Sequence, residues 1–416
     1  MKTFFETEGF GKQEYYRSII FDIVRKSRQI TRAEISRLYG IRPAAVTQIA
    51  SDFLSRGVLR EARKNRSGKG RSQLGVNPDL ACSVGLELGP GYIKTVVMDA
   101  AYGISAEDKT RIPVESGENT LIPLILTCLE AVISTHTRDN LKGIGFADPG
   151  LVDPAKGASL MTSILRNWKG VPVGKLIEEK FGVPVLVQGA NHVRALAEML
   201  FGKGKTARNF IYINLSVGVG ANLVIDGRIY HGASNLAGEF GHTIVKLDGP
   251  YCNCGGRGCL ETICGKLAIA RSAAEKIKSG AGSVLAEMVE GDLERITGPL
   301  VVEAAQKGDR LALDVIYEAG KYLGIAVVNL INVLNPSLIV FGGSMMKAGD
   351  LLLEPVERMV RTRALKHAAE NLRLEVSGLG EYIAAIGAAA LVMEEFFKPV
   401  KLEKNSDKKV LSKLSL

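Results

Sequence analysis

From Tyr16 the apolar residues fall at Ile19, Ile20, Ile23 and Val24, the spacing of one helical stripe. The next segment marks both its own ends. Thr31-Arg32-Ala33-Glu34 is a capping box, with Thr31 as N-cap and Glu34 reaching back to its backbone. That helix, predicted over 32–39, stops at Gly40, a residue suited to a helix C-terminus. Pro43 fits the first position of a third helix, whose inward face is Ala45, Val46, Ile49, Phe53 and Leu54. Gly57-Val58-Leu59 leads into a strand, and Arg63 to Arg71 forms a basic loop with glycines. Helix, short turn, helix and basic wing predict a winged helix-turn-helix over residues 1–80.

Beyond Asn77-Pro78 the pattern becomes short apolar strands alternating with helices, which indicates α/β layers. Ser83 to Asp99 reads as strands around Glu87-Leu88-Gly89-Pro90-Gly91, and Leu141 to Asp153 as a strand and a Pro-Gly turn. A strand at 183–187 precedes a helix at 192–201. Phe210 to Leu215 ends in the glycine-rich Ser216-Val217-Gly218-Val219-Gly220, and Asp226-Gly227 turns a hairpin. Helices fill 265–335, and the strand from Ser337 runs into Gly342-Gly343. Residues 398–416 form a Lys-rich tail whose composition predicts a solvated segment.

At 416 residues the chain exceeds one ordinary domain. Its 46% hydrophobic and 23% charged residues suit a soluble globular protein. No apolar run is expected to span a membrane, and no signal peptide is read at the N-terminus, so the cytoplasm is the expected location. Charge sharpens the picture: residues 1–80 hold 16 Lys+Arg against 8 Asp+Glu, which is +8 of the total +9. A basic module on a near-neutral body points to a polyanion partner. On the third helix Arg42, Ala44, Thr47 and Gln48 are expected to face outward, Gln48 toward adenine and Thr47 or Ala44 toward a thymine methyl. Lys64, Arg66, Lys69 and Arg71 suit phosphates or the minor groove. The competing reading is a helical module that binds protein.

The candidate chemistry is concentrated between Gly238 and Glu261. His242, Cys252, Cys254 and Cys259 offer four soft ligands, the set a structural Zn²⁺ prefers. Gly255, Gly256 and Gly258 allow a tight knuckle. A disulfide would need an oxidising compartment. Cys82, Cys128 and Cys264 lie outside the pattern and read as small buried residues.

V-G-V-G-A-N-L-V-I-D-G, G-A-S-N-L-A-G-E-F-G-H, C-N-C-G-G-R-G-C-L-E and N-P-S-L-I-V-F-G-G together resemble the ROK family of sugar kinases and sugar-responsive repressors. The N-terminal module is similar to that of the repressor branch. The resemblance implies two actin-like α/β lobes, here expected at 81–190 and 191–397, with a C-terminal helix that can return to the first lobe. It implies Glu239, His242 and Glu261 as sugar-hydroxyl contacts, and polar Asn191 is grouped with them. It also implies a catalytic Asp in the stretch that here reads V-Q-G-A-N-H, where Ala190 occupies that position and Gly189 that of a sugar-binding Asn. The first phosphate loop of the family's kinases, D-x-G-x-T, is here E-L-G-P-G. Pro90 lacks an N–H that could cradle phosphate, and Gly91 replaces the Thr hydroxyl.

A methyl group cannot accept a proton, and general-base catalysis contributes about 10²–10⁴-fold. The glycines of 216–220 fit either a tight strand-to-helix connection or a residual nucleotide site. The expectation is therefore a non-enzymatic repressor whose body senses a monosaccharide, without ATP, and which reads a palindromic operator as a homodimer or higher homo-oligomer. A constitutive DNA binder and a divergent kinase are the alternatives. Asp148 departs from the apolar residue expected there, and Trp168 is expected to pack in the core.

Overall fold

A computed structural model describes residues 1–5, 12–62, 72–113, 117–137, 140–162, 164–165 and 167–400. Helices α1 (Lys12–Ser27), α2 (Arg32–Tyr39) and α3 (Pro43–Ser55) form at the predicted places. Thr31 and Glu34 complete both bonds of the capping box, Gly40 ends α2 at φ 67°, and Pro43 opens α3. The α1 stripe buries Tyr15 rather than Tyr16, with Ile19, Ile20, Ile23 and Val24 as expected. Strand β1 (Ile30–Thr31) pairs with β3 (Gln73–Val76), which also pairs with β2 (Leu59–Ala62). Lys64, Arg66, Lys69 and Arg71 lie outside the described residues.

The first large sheet holds β4 (Cys82–Gly89), β5 (Tyr92–Asp99), β6 (Ile104–Arg111), β7 (Leu141–Asp148) and β11 (Val185–Gly189). Between β7 and β11 come β8 (Leu151–Asp153), β9 (Ala158–Met161) and β10 (Lys169–Val171), a small separate sheet, and helix α5 (Val173–Phe181). Helix α4 (Glu118–His136) is long and apolar enough to cross a membrane by length and composition, contrary to the sequence expectation. Its Leu121, Ile125, Leu129 and Val132 instead pack into the core of this sheet with Val84, Leu86 and Phe146.

Helix α6 (Ala190–Phe201) follows β11 directly. The second large sheet holds β12 (Phe210–Leu215), β13 (Val219–Ile225), β14 (Arg228–Ile229), β15 (Leu338–Gly342) and β16 (Arg373–Val376). Asp226-Gly227, both at positive φ, turns β13 into β14. Helices α7 (Glu261–Cys264), α8 (Lys266–Lys278), α9 (Val284–Met288), α10 (Gly298–Gln306) and α11 (Arg310–Leu334) separate β14 from β15. Helices α12 (Asp350–Arg363) and α13 (Lys366–Ala369) precede β16, and α14 (Ile383–Phe396) ends the fold.

The sheets repeat one plan. Their orders are β6-β5-β4-β7-β11 and β14-β13-β12-β15-β16. In each, three antiparallel strands are followed by two that pair parallel.

Contacts divide the chain into Met1–Leu200 with Tyr382–Leu416, and Phe201–Glu381. The boundary expected after residue 190 falls after Leu200, because α6 packs with the first sheet's elements through Ala190 and Val193. Helix α14 belongs to the same unit and brings its backbone against glycines of β4 and β7. A Cβ on Gly85 or Gly145 would overlap the carbonyl oxygens of Ala385 and Ala388. The division leaves residues 1–80 in this unit, since α1 and Phe4 pack on α14 and the residues after it. The expected tail also begins later: Val400 is buried and its N–H donates to Ser18 Oγ at 3.2 Å. Residues 401–416 lie outside the described residues.

Candidate functional site

Helix α3 buries Val46, Ile49, Ala50 and Phe53, while Ala45 and Leu54 are half-buried. That face fixes the opposite one by helical geometry. Arg42, Ala44, Thr47 and Gln48 are all exposed at the helix's N-terminal end. Arg17 on α1 braces α3 from behind, 2.6 Å from Asp52 and with its guanidinium 4.8 Å from the Phe53 ring centre.

In the second unit, the chain from Glu239 to Glu261 brings His242, Cys252, Cys254 and Cys259 together, their donor atoms all within 4.8 Å of one another. His242 Nδ1 lies 3.6 Å from Cys252 Sγ, and Cys254 Sγ lies 3.7 Å from Cys259 Sγ. Tetrahedral coordination with metal–sulfur bonds of about 2.3 Å and metal–nitrogen bonds of about 2.0–2.1 Å needs edges of about 3.5–3.8 Å, which these two pairs match, so the group could hold one ion. Two glycines shape the knuckle at positive φ, Gly255 at 90° and Gly258 at 73°. A Cβ on Gly258 would overlap the Lys246 carbonyl oxygen. The Gly256 N–H donates to Cys254 Sγ and lowers that thiol's pKa. Burial, together with the neighbouring Cys254 and Cys252, pushes Cys259 up to about 12. Adjacent sulfurs oppose one another's ionisation until a cation sits among them.

With Nδ1 toward the sulfurs, the other nitrogen of His242 faces Glu239, 3.7 Å away. Burial raises the Glu239 carboxyl, His242 lowers it, and Glu261 raises it further. Glu261 accepts the Val219 N–H at 3.1 Å, and its carboxylate occupies the space a Cβ on Gly218 would need. The glycine-rich 216–220 turn therefore joins strand to strand rather than strand to helix, and Gly218 makes room for Glu261. Asn191 belongs to the first unit, in the first turn of α6, where its Oδ1 accepts from Arg194 at 3.0 Å.

The first β-hairpin has its own occupants. Pro90-Gly91 turns β4 into β5, with Gly91 at φ 85°. The Tyr92 ring covers Gly89 so closely that a Cβ there would overlap it. Its hydroxyl donates to Glu87 Oε1 at 3.2 Å, and Arg194 forms a short ion pair with the same oxygen. Glu87 is buried. Ala190 is buried too, packed with Ala147, Val193, Ala384 and Ala388. Arg194, Tyr92 and Glu87 escaped the sequence reading as a group. The available signal was the spacing of Asn191 and Arg194, one helical turn apart. Asp148 is completely buried, accepting the Trp168 Nε1–H at 2.9 Å and the Gly150 N–H at 2.8 Å. Burial raises its carboxyl, and those two donors partly oppose the shift.

A helix-turn-helix ahead of two α/β sheets of one plan is the build of a DNA-binding regulator. Residues 83–395 match the sequence model of the ROK family, and the chain belongs to that family. The xylose repressor of Caldicellulosiruptor bescii is 27% identical over 91% of this chain and 95% of its own length. The glucokinase of Halalkalibacterium halodurans is 35% identical but aligns to 75% of this chain and 95% of its own length. A solved ROK-family transcriptional regulator, a homolog of the Escherichia coli MLC protein, superposes with TM-score 0.78 at 27% identity. That match covers 97% of this chain and 99% of the other. The xylose repressor and this transcriptional regulator both align along nearly the whole chain, and the protein is a transcriptional repressor of this family.

Proposed function

We propose that this repressor binds operator DNA through Arg42, Ala44, Thr47 and Gln48, with Lys69 and Arg71 serving its phosphates or minor groove. Its body senses a monosaccharide, with Glu239, His242 and Glu261 as the candidate contacts of the second unit and Asn191 as that of the first. The ion of the Cys₃His group is zinc, in a structural role. Four protein donors close the coordination sphere, and the ion holds the His242 ring with Nε2 toward Glu239. Residues 1–80 are the DNA-binding domain, and the protein acts as a homodimer on a palindromic operator.

The observation that carries this reading is Ala190, a buried methyl in an alanine cluster where the family's kinases hold a base. A body that keeps the His242 and Glu239 geometry without the base is suited to binding sugar, not to phosphorylating it. The test is a monosaccharide panel read by thermal shift, since a ligand of the folded state raises the melting temperature with occupancy. The hit is then assayed for ATP turnover and for release of promoter DNA. The expected result is one sugar that stabilises the protein and changes DNA retardation without phosphate transfer. Ordinary kinase turnover on that sugar would sink the reading.

A further inference from the structure

Arg25 of α1 is fully buried, and each side of its guanidinium meets another element. Its Nη2 lies 2.9 Å from Asp22 of the same helix and 2.7 Å from Glu394 of α14. Its Nη1 donates to the Met393 carbonyl at 3.1 Å. Tyr102, in the β5–β6 turn, donates its hydroxyl to Glu394. The rings of Tyr102 and Phe397 stand 5.1 and 5.4 Å from the guanidinium carbon. Lys26 reaches Asp22 at 2.9 Å. Burial alone would weaken the Arg25 charge, but Glu394 and Asp22 more than offset it and hold the pKa above its ordinary value.

Contacts run outward from this node in both directions. On the DNA side, Phe21 of α1 packs on Phe53 of α3 at 6.1 Å, and Arg17 holds Asp52. On the body side, α14 meets α6 backbone to backbone: a Cβ on Gly387 would overlap the Val193 carbonyl oxygen. Val193 lies two residues after Asn191. The same helix is seated against Gly85 and Gly145 of the sheet. At these glycines backbone meets backbone with little room to slip, so a shift of α6 carries α14 with it. A hydrogen-bonded charge cluster is more directional than an apolar contact, so it transmits such a shift to α1 rather than absorbing it.

We propose that the Arg25–Glu394 node couples the effector site to the DNA-binding helices, so that sugar occupancy changes operator affinity through α14 and α1. The proposal rests on the sugar-sensing reading above. The test measures the operator Kd with and without the stabilising sugar, and the sugar Kd with and without operator, for wild type, Glu394→Gln, Arg25→Lys and Tyr102→Phe. In the wild type, sugar changes operator affinity by about 5- to 150-fold, and operator changes sugar affinity by the same factor. In Glu394→Gln and Arg25→Lys, sugar still binds, but both factors shrink together below about threefold, a loss that a purely stabilising role would not produce. Tyr102→Phe removes only one hydroxyl and gives an intermediate factor; it carries the test where Arg25→Lys does not fold. Full coupling in Glu394→Gln and Tyr102→Phe overturns the node and leaves the sensing reading intact. A wild type that binds sugar with no change in operator affinity fails the sensing reading and takes the node with it.

Discussion

The two large sheets have the same strand order, yet the turns that leave their first strands have been altered in different ways. In the first sheet the turn is closed by Pro90-Gly91, covered by Tyr92, and its Glu87 is held by Arg194. In the second, the glycines of 216–220 remain, and the space beside Gly218 is taken by Glu261, which follows the metal knuckle directly. A duplicated scaffold has thus filled both turns with its own carboxylates, one neutralised by an arginine and one beside the candidate sugar contacts. Each carboxylate takes space beside its turn, and the partly buried Glu261, with no Lys or Arg ion pair among the described residues, would repel an anionic phosphate. The glycines alone would have suggested the opposite for the second turn.

The comparison breaks most visibly if the base is restored. Ala190→Asp places a carboxylate in an alanine cluster and is expected to cost about 3–5 kcal/mol as an uncompensated buried charge, read by denaturant unfolding. It is expected to yield no sugar phosphate, because Tyr92 and Glu87 still fill the first turn; measurable turnover would show that turn able to hold phosphate. Cys259→Ser should weaken zinc by more than the ~10–100-fold that loss of a supporting hydrogen bond costs, measured by competition with a chelator. It should abolish the sugar-induced thermal shift and leave DNA retardation intact. If the shift persists, the knuckle does not hold His242 for the sugar.

Trp168→Phe removes the indole donor to Asp148 and is expected to destabilise the first unit by about 1–3 kcal/mol, seen as a lower melting temperature. Asp148 also sets a pH signature. Its folded pKa is raised, so the folded state holds a proton that the unfolded chain has lost above about pH 3.9. Its stabilising contribution is full below that pH and fades as pH climbs through the raised value. Asp148→Asn should flatten stability across that window, and an unchanged slope would contradict the assignment. Gln48→Ala is expected to leave stability unchanged and to cost about 1–3 kcal/mol of discrimination at one A·T pair, read by retardation on operator variants. Uniform weakening on all sequences would move Gln48 to the backbone contacts.

The N-terminal module was legible almost residue by residue, because caps act locally: Thr31, Glu34, Gly40 and Pro43 mark their ends without help from tertiary structure. The Cys₃His group was legible because its ligands lie close in sequence. The node at Arg25 was not, since Arg25 and Glu394 are 369 positions apart and nothing local pairs them. Asp148 looked anomalous for the same reason: Trp168, whose indole it accepts, lies beyond the inserted strands β8 and β9. The helix after 190 was legible from its apolar face, but its attachment to the first unit, through Ala190 and Val193 against Ala147, Ala384 and Ala388, is a tertiary contact that no local pattern carries.

Operator affinity measured against sugar concentration, with no ATP present, tests the central claim most directly. A sensing body predicts a saturable change in Kd of about 5- to 150-fold, complete without nucleotide. A Kd that stays constant while the sugar binds, or that changes only as ATP is consumed, would contradict it.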